Sequence, residues 1–503
     1  MTEQQPGILD RTGLDQLRAA LTEAQFTQDG VAARIGPEAW TAAGREDFRA
    51  TLAATEGADD ALGTLVRIFL AGQTEPERAV ARALGDLPLP DALASGLVER
   101  AEDGLRAGID LDIYGDWWVV ADLPAAARPG RPLPADHVLG VGMASMTLAD
   151  ATVRRPVGTA LDLGTGCGVQ ALHLSEHAGT VTATDLSERA LRFAATTASL
   201  NGLSWQLLAG DMLAPVAGRR FDQVVSNPPF VVGPGVTTHT YRDSGRAGDG
   251  VCAELAAAAP GLLHPGGTLQ YLANWVHVAG EDWEERVAGW FAGTGCDLWA
   301  IQREVTQPLD YVRLWLYDAA EGHDPQRAAA WLDWFDRHKI EAVGFGVITA
   351  RLSGRDDPIV VCEEARQALD QPLGEQVTAW FDRQDWLAGR DLDTLLDTRL
   401  RTAPDLRLRQ EASMSAEGWA VDRQVLELTT GMHWAEEIDP LIVSLVGGCD
   451  GTVPLREQVA LLAAAHEAPA ELLAPALAGM VRHLVSRGIL LYSGGRSGIS
   501  MES

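Results

Sequence analysis

The chain has 503 residues, too many for one ordinary domain, and its 46% apolar and 22% charged residues are typical of a folded globular protein. Its formal net charge of −30 disfavours non-specific binding to DNA, because such binding depends on Lys and Arg neutralising phosphates. We expect neither a membrane span nor a secretory signal, since no long uncharged apolar stretch occurs and residues 1–6 lack a basic, apolar leader.

Residues 1–123 are predicted to form a helical N-terminal domain. Leucine and other apolar residues recur at helical spacing in two stretches, 14–21 and 62–69. Two β-rich segments, 104–113 and 114–122, then surround a Gly-Asp pair and predict a hairpin. Helices followed by a hairpin favour a winged-helix-like module.

Residues 124–352 are assigned to a catalytic α/β domain. Their first part, up to residue 135, is rich in proline and is interpreted as a linker or an irregular arm. From about residue 150, apolar strands alternate with Ala-rich helices up to about residue 352. That alternation is typical of a parallel sheet with βαβ crossovers.

The C-terminal part of the sequence predicts its secondary structure less clearly. Residues 353–435 are left as an uncertain connecting region, whereas residues 436–503 are predicted to form a second helical, winged-helix-like domain. Apolar residues recur there at helical spacing, and residues 488–495 are interpreted as a wing. The predicted helices are 441–446, 455–465 and 472–484.

The strongest chemical signal is a strand, a glycine-rich turn and a helix within residues 160–172. The strand carries Asp162 to its carboxyl end, and the turn has glycine at three alternate positions, Gly164, Gly166 and Gly168. Glycine permits a tight turn and a close approach of a ligand to the backbone. Asp162 precedes the turn, and this distinguishes the motif from the glycine-rich fingerprint of dinucleotide-binding proteins. S-adenosylmethionine, which carries a sulfonium cation and an amino-acid end, fits it better.

Two further strands are predicted to end in carboxylates. Asp185 follows an apolar strand and is suited to accepting hydrogen bonds from ribose hydroxyls. Asp211 follows the next strand, where it could accept from the adenine amino group while Met212 packs on the ring. Each acid alone fits an ordinary loop, but ligands of open α/β sheets bind at the carboxyl ends of strands. Together with the glycine turn, these acids predict a cofactor site.

A fourth strand, 221–226, ends in Asn227-Pro228-Pro229-Phe230. Proline fixes φ and holds the preceding residue in an extended conformation, so the loop is stiff and Asn227 has one orientation. Its side-chain carbonyl could accept hydrogens from an amide or amino nitrogen. Phe230 would offer a face on which a planar target stacks.

The combined motifs resemble class I S-adenosylmethionine-dependent methyltransferases, specifically the (Asn/Asp)-Pro-Pro-(Tyr/Phe/Trp) branch that contains HemK-type enzymes and other "methyltransferase small" domains. The resemblance covers about residues 135–300. It implies a Rossmann-like, seven-stranded sheet, here flanked by the two winged-helix-like domains. It also implies S-adenosylmethionine as cofactor and a catalytic loop formed by Asn227, Pro228, Pro229 and Phe230. The implied cofactor-binding residues are Asp162, Gly164, Thr165, Gly166, Gly168, Asp185, Leu186, Asp211, Met212 and Asn227.

Within the resemblance, residues 242–245 and 248–250 lie where HemK-type enzymes have a Gly-x-Asp-Gly stretch, although a flexible loop with turn glycines is equally consistent. HemK-type enzymes usually have Tyr at the position of Phe230 and nothing comparable to residues 355–503. The resemblance therefore indicates the cofactor and leaves the substrate open.

The leading functional hypothesis is an N-methyltransferase that modifies a planar amide or amino nitrogen of a macromolecule, either a protein glutamine-type amide or a nucleic-acid base. A small-molecule methyltransferase and a non-catalytic, cofactor-sensing regulator are the alternatives. The Asn-Pro-Pro-Phe loop favours catalysis, since a sensor would not need it. No His, Cys, Asp or Glu cluster has metal-ligand spacing, and the five scattered cysteines suit a reducing cytoplasm. We therefore expect a cytoplasmic enzyme without a metal, acting on protein or RNA.

Overall fold

The computed structural model describes residues 7–124, 127, 133–235, 245–318, 325–416 and 418–492. The chain forms two compact units, one of residues 1–149 and 155–364 and one of residues 150–154 and 365–503. The predicted boundary at residue 123 falls inside the first unit. In the described residues no helix has the length and apolar character needed to cross a membrane.

Short helices make up the N-terminal part of the first unit. The first begins at Asp10, whose side chain accepts from the Gly13 amide, and it buries Leu14, Leu17 and Leu21, as the leucine spacing predicts. The helices are α1 (Arg11–Glu23), α2 (Gln28–Ile35), α3 (Pro37–Ala43), α4 (Arg49–Thr55), α5 (Ala61–Leu65), α6 (Glu77–Ala83) and α7 (Leu89–Ala94), with a π-helical turn at Val66–Leu70.

Two hairpins follow these helices. The predicted hairpin is confirmed, because β3 (Asp110–Tyr114) pairs antiparallel with β4 (Trp117–Ala121), and Tyr114 faces Trp117 across the turn. A preceding hairpin of β1 (Val98–Ala101) and β2 (Gly104–Ala107) was not predicted. The winged-helix interpretation of this region stays a prediction.

A mixed sheet with flanking helices forms the rest of the first unit. Its strand order is β12-β10-β11-β9-β8-β5-β6-β7. Neighbouring strands run parallel except for β11, which is antiparallel to both β9 and β10. The elements are α8 (Met143–Ala151), β5 (Val157–Leu163), α9 (Val169–Ser175), β6 (Ala178–Asp185), α10 (Glu188–Leu200), β7 (Gln206–Ala209), β8 (Phe221–Ser226), α11 (Gly250–Leu262), β9 (Leu263–Val278), α12 (Trp283–Trp290), β10 (Cys296–Thr306), α13 (Pro308–Asp318), α14 (Pro325–Arg337), β11 (Ile340–Leu352) and β12 (Val360–Glu364).

The predicted count of seven strands is wrong for the described sheet, which has eight. The additional strand is β12, which pairs parallel with β10 from Leu298–Val360 onward. It extends the α/β region past its predicted end at residue 352. The five-residue strand lies at the sheet edge and is only partly buried, so it lacks the apolar run by which a central strand is recognised in sequence.

The strand register brings the predicted site residues to one edge of the sheet. Leu163 pairs with Thr184 of β6 and with Ser226 of β8, and Asp185 pairs with Ala209 of β7. Because these four strands are parallel, the segments that follow them emerge on the same side. The glycine turn, Asp185, Asp211 and Asn227 are therefore neighbours.

The N-terminal part is joined to the sheet through the β3–β4 hairpin. The Tyr114 hydroxyl lies 3.0 Å from His173 Nε2 on α9. The Trp118 amide donates to Asn201 Oδ1 at 3.0 Å, at the end of α10. The Val120 amide donates to the Thr197 hydroxyl. These buried and half-buried contacts pack the hairpin against α9 and α10, the helices that follow β5 and β6.

The second unit contains helices and a three-stranded antiparallel sheet of β14, β15 and β16. The three helices predicted near the C-terminus are present as α17, α18 and α19. The elements of the unit are α15 (Leu373–Ala388), α16 (Leu392–Leu396), β13 (Leu400–Thr402), β14 (Leu406–Ser415), β15 (Gly418–Leu428), β16 (Ala435–Glu437), α17 (Pro440–Gly448), α18 (Leu455–Ala465), α19 (Ala470–Arg487) and β17 (Leu490–Tyr492).

The predicted wing at 488–495 stays a prediction. Its described strand, β17, pairs antiparallel with the distant β13. The pairing partner therefore comes from far back in the chain, which a local hairpin pattern cannot reveal. Residues 493–495 of that prediction lie outside the described part.

Candidate active site

The outer face of the glycine turn is uncovered at the position where the sequence predicts contact with a ligand. Gly164 and Gly166 have φ of +77° and +54°, the left-handed region that favours glycine. A Cβ built on either would meet no atom within 4 Å. The amides of Gly164 and Thr165 both donate to the Thr184 carbonyl, at 2.9 and 2.8 Å. The turn is thus anchored to β6 while its outer face stays open.

Gly168 requires glycine for a different reason from the one predicted. Its φ is +93°, and a Cβ there would lie 2.6 Å from the Trp205 ring. Trp205 is itself held by a 2.8 Å hydrogen bond from its indole nitrogen to Ser175. Gly168 therefore permits close packing of the turn on Trp205 rather than approach of a ligand.

Asp162 lies beneath the turn. Its side chain is fully buried, and one carboxylate oxygen accepts from the Thr165 hydroxyl at 2.6 Å and from the Ala171 amide at 3.0 Å. Burial raises the pKa of this carboxyl to about 7. Asp162 braces the turn against the start of α9 and is a positioning residue in this geometry.

Asp185 links the second strand to the turn. Its two carboxylate oxygens accept from the Gly166 amide at 2.9 Å and from the Ser187 amide at 2.8 Å. Burial raises its pKa. The next residue, Leu186, is 57% exposed and supplies an apolar surface beside the carboxylate.

Asp211 faces a cation that was not singled out from the sequence. Its side chain is 61% exposed, and Arg246 Nη2 lies 3.8 Å from Asp211 Oδ2. Arg246 also pairs with Glu254 at 2.7 Å. No local pattern marks this arginine, because its place beside Asp211 depends on a contact between residues 35 positions apart in the sequence. Met212, with φ of +44°, follows Asp211 on the same loop.

The Asn-Pro-Pro-Phe loop presents two of its four residues to solvent-filled space. Asn227 and Pro229 are half-buried and line a cavity, whereas Pro228 is buried. Phe230 is only 6% exposed, and its ring centroid lies 6.1 Å from Trp315 and 5.8 Å from Phe345. The predicted stacking face of Phe230 is thus covered by protein side chains.

The predicted Gly-x-Asp-Gly stretch is divided between described and undescribed residues. Residues 242–244 lie outside the described part. Asp249 is buried and accepts a bidentate ion pair from Arg286, at 2.7 and 2.9 Å, together with the Val276 amide. It fixes the start of α11 and is not on the cavity wall.

A cavity of about 1600 Å³ lies at this edge of the sheet. The predicted residues on its wall are Gly164, Thr165, Gly166, Asp185, Leu186, Asp211, Met212, Asn227 and Pro229. The opposite wall comes from the N-terminal part, which sequence reasoning did not connect with the site. That wall includes Trp40, Phe48, Phe69, Asp110, Asp112 and the loop of residues 137–142.

An ion pair fixes the loop that bridges the two walls. The buried Asp122 carboxylate accepts from Arg189 Nε on α10 at 3.0 Å and from the Val138 amide at 3.0 Å. His137 Nδ1 lies 3.7 Å from the same carboxylate. These bonds hold residues 137–138 near the start of α10, on the wall of the cavity.

Three family descriptions match the chain in separate segments. Residues 140–281 match a family described as "Methyltransferase small domain". Residues 23–108 and 378–492 match two families that are each described as a domain of unknown function, DUF7059 and DUF7782. The match to the methyltransferase small domain covers the glycine turn and Asn227.

Curated relatives match the same central region. A release factor glutamine methyltransferase of Moorella thermoacetica is 34% identical over 236 residues, covering 42% of this chain and 82% of the relative. One of Xylella fastidiosa is 34% identical over 206 residues, covering 38% and 72%. A ribosomal RNA small subunit methyltransferase C of Alcanivorax borkumensis is 31% identical over 182 residues, covering 36% of this chain and only half of the relative.

Proposed function

The chain belongs to the HemK-type class I S-adenosylmethionine-dependent methyltransferases, and we propose that it transfers a methyl group to a planar amide or amino nitrogen of a macromolecule. One observation carries the proposal. Asn227 lines the same cavity as the open glycine turn and the carboxylate of Asp185. This shared cavity would bring a methyl donor on the turn close to a nitrogen at Asn227.

The described residues fit S-adenosylmethionine. Gly164 and Gly166 leave room for close approach, and Asp185 supplies acceptors for ribose hydroxyls. Asp211, Met212 and Leu186 line the same cavity, and the first two would hold the adenine. When bound, the cofactor supplies an electrophilic methyl group on a sulfonium cation.

The protein's contribution is alignment of the nitrogen. The lone pair of an amide or aniline-like nitrogen is delocalised, so the nitrogen is a poor nucleophile. By accepting its hydrogens, the Asn227 side-chain oxygen would orient the remaining electron density of the nitrogen for attack on a methyl carbon. As the new N–C bond formed, the bond from that carbon to sulfur would break, and the nitrogen would release one proton to solvent. Pro228 and Pro229 restrict the backbone, so the acceptor needs no reorganisation during transfer.

The macromolecular substrate is a protein glutamine-type amide or an RNA base. Support comes from the relatives, which are named for a release factor and for ribosomal RNA. We further propose that residues 1–123, which form one wall of the cavity, and residues 436–503 help dock this substrate. The two flanking family matches fall largely within these regions and the connecting segment.

The test is transfer of labelled methyl from S-adenosylmethionine to cell extract, divided into protein and RNA fractions, with purified release factor and ribosomal RNA as defined acceptors. Label in protein or in RNA that disappears with Asn227→Ala supports the proposal. Label found only in metabolites contradicts it and favours a small-molecule methyltransferase.

A further inference from the structure

The three-stranded sheet of the second unit ends in a long exposed edge, the strand β14. The order β14-β15-β16 gives β14 one strand neighbour among the described residues. The strand has ten residues, contains neither proline nor glycine, and is exposed from Arg407 to Ser415. The bulge in its pairing with β15 places the extra residue, Asp422, in β15, so β14 itself is uninterrupted. A long, regular edge of this kind is a template for pairing with a further strand.

One face of the β14–β15 hairpin is apolar and open to solvent. Met414 lies opposite Trp419, and Ala412 lies opposite Val421. The side chains of Met414 and Trp419 are 66% and 73% exposed, and Val421 is exposed as well. Because side chains alternate along a strand, the exposed Leu408 shares this face. Contiguous exposed apolar surface is typical of an interaction site.

The opposite face of β14 carries charges whose order is complementary to itself. Arg409 and Glu411 are two residues apart, so their side chains share this face, and both are exposed. They contact Glu427 and Arg423 across the hairpin, each at 3.7 Å. When two copies of β14 are paired antiparallel with Gln410 facing Gln410, Arg409 of each copy lies opposite Glu411 of the other. Opposite charges in directly facing positions stabilise a strand pair.

The same register matches the apolar faces and disfavours its neighbours. Leu408 of one copy lies opposite Ala412 of the other, so the apolar face continues across the two strands. Moving the second strand by two residues sets Arg409 opposite Arg409 in one direction and Glu411 opposite Glu411 in the other, and like charges in facing positions are destabilising. Moving it by one residue turns apolar side chains toward the charged face.

We propose that β14 is a self-association edge, through which two copies of the chain pair antiparallel about Gln410 and form one six-stranded sheet. A two-fold interface must be complementary to itself, and the charge order of β14 meets that condition. Nucleic acid is disfavoured at this edge, because the three strands together carry five acids and three arginines. The association is independent of the proposed methyl transfer, since β14 belongs to the second unit.

The experiment is sedimentation velocity on the full chain over a series of concentrations. It compares the wild type with Arg409→Glu, with Glu411→Arg and with an equimolar mixture of the two variants, one of them fluorescently labelled. Each variant alone sets like charges opposite each other at both symmetric positions, whereas the mixed pair restores both Arg–Glu oppositions. Changes within each hairpin persist in the mixture, so the comparison isolates contacts between chains. Arg192→Glu, at an exposed position of α10, controls for the change in net charge.

The wild type and Arg192→Glu should form a species of twice the chain mass. Each of the two β14 variants alone should have a dissociation constant at least about tenfold higher, and their mixture should return to within about twofold of the wild type. A wild type that stays monomeric overturns the proposal and leaves the edge to a strand of a different protein. Variants that associate like the wild type, or a mixture no tighter than the variants alone, overturn it as well.

A cross-linking measurement tests the two-fold axis directly. Cysteines introduced by Gln410→Cys would face each other across the axis, whereas those of Ser413→Cys on the same strand would lie about 20 Å apart, at about 3.3 Å per residue. Mild oxidation should therefore join Gln410→Cys chains in pairs and leave Ser413→Cys chains separate. Equal cross-linking of the two variants would contradict the register.

Discussion

The Asp185 carboxylate accepts a hydrogen bond from the Gly166 amide at 2.9 Å. This bond ties the acid at the end of β6 to the glycine turn after β5. Its other oxygen is held by the Ser187 amide. A carboxylate has about four acceptor positions, so positions remain for ligand hydroxyls on the cavity side. The carboxylate is thus oriented before any ligand arrives.

Replacing Asp185 should therefore weaken cofactor binding. Asp185→Ala removes the acceptors for the ribose hydroxyls and releases the turn, so S-adenosylhomocysteine should bind about 1–3 kcal/mol more weakly by calorimetry. Glu188→Ala, an exposed acid three residues later, is the control and should bind like the wild type. Wild-type affinity in Asp185→Ala would remove this residue from the site.

Asp162 predicts a pH dependence of stability. Burial raises its pKa to about 7, from an ordinary value of about 4. Its contribution to stability is therefore fully present below about pH 4 and is lost as pH rises through 7, at up to about 1.4 kcal/mol per pKa unit. Asp162→Asn keeps a side-chain oxygen that can accept both hydrogen bonds and has no charge to bury.

The free energy of unfolding of Asp162→Asn should thus fall less between pH 5 and pH 8 than that of the wild type. Urea denaturation at the two pH values measures the difference. Asp15→Asn, on the exposed side of α1, should keep the wild-type dependence. Parallel pH profiles for Asp162→Asn and the wild type would contradict the shifted pKa.

Phe230 should act mainly through stability. Because it is 6% exposed and packs on Trp315 and Phe345, Phe230→Ala leaves a cavity and should lower the free energy of unfolding by about 3–5 kcal/mol. Leu309→Ala, at a position 66% exposed, should change it by less than about 0.5 kcal/mol. An unchanged free energy of unfolding in Phe230→Ala, together with a loss of substrate affinity, would show instead that Phe230 stacks on the substrate.

The contrast between Gly164 and Phe230 shows what the sequence can predict. Gly164, Asp185 and Asn227 can each be recognised from a short run of sequence. Each lies at the end of a predicted strand and is marked by a nearby glycine, acid or proline pair. Parallel pairing then brings them together by a general rule of α/β sheets. Phe230, in contrast, is buried by Trp315 and Phe345, which come from later elements and carry no local signal.

The same reasoning explains the overlooked wall of the cavity. Asp110 and Asp112 read as part of a hairpin, and the hairpin is confirmed. Their place at the site depends on contacts such as Tyr114 with His173 and Asp122 with Arg189, which join distant segments. Arg246 and the edge strand β12 were missed for the same reason.

The charge of −30 predicts weak contact with DNA. Binding to random-sequence duplex DNA at physiological salt should be weaker than about 10⁻⁵ M, because few cations are available to neutralise phosphates. A gel-shift titration measures it, and lowering the salt should strengthen any binding seen. Tight, sequence-independent binding would show a basic surface that the net charge conceals.

The most direct test of the account is single-turnover transfer of labelled methyl by Asn227 variants, using the acceptor found in the extract experiment. Asn227→Ala should bind S-adenosylhomocysteine within about 1 kcal/mol of the wild type, since we expect the glycine turn and Asp185 to make most of the cofactor contacts. Its methyl transfer should fall about 10²-fold or more, because the nitrogen is no longer aligned. Asn227→Asp should be less impaired, since a carboxylate still accepts the target hydrogens. Wild-type turnover in Asn227→Ala, with cofactor binding intact, would contradict transfer to a planar nitrogen at this loop.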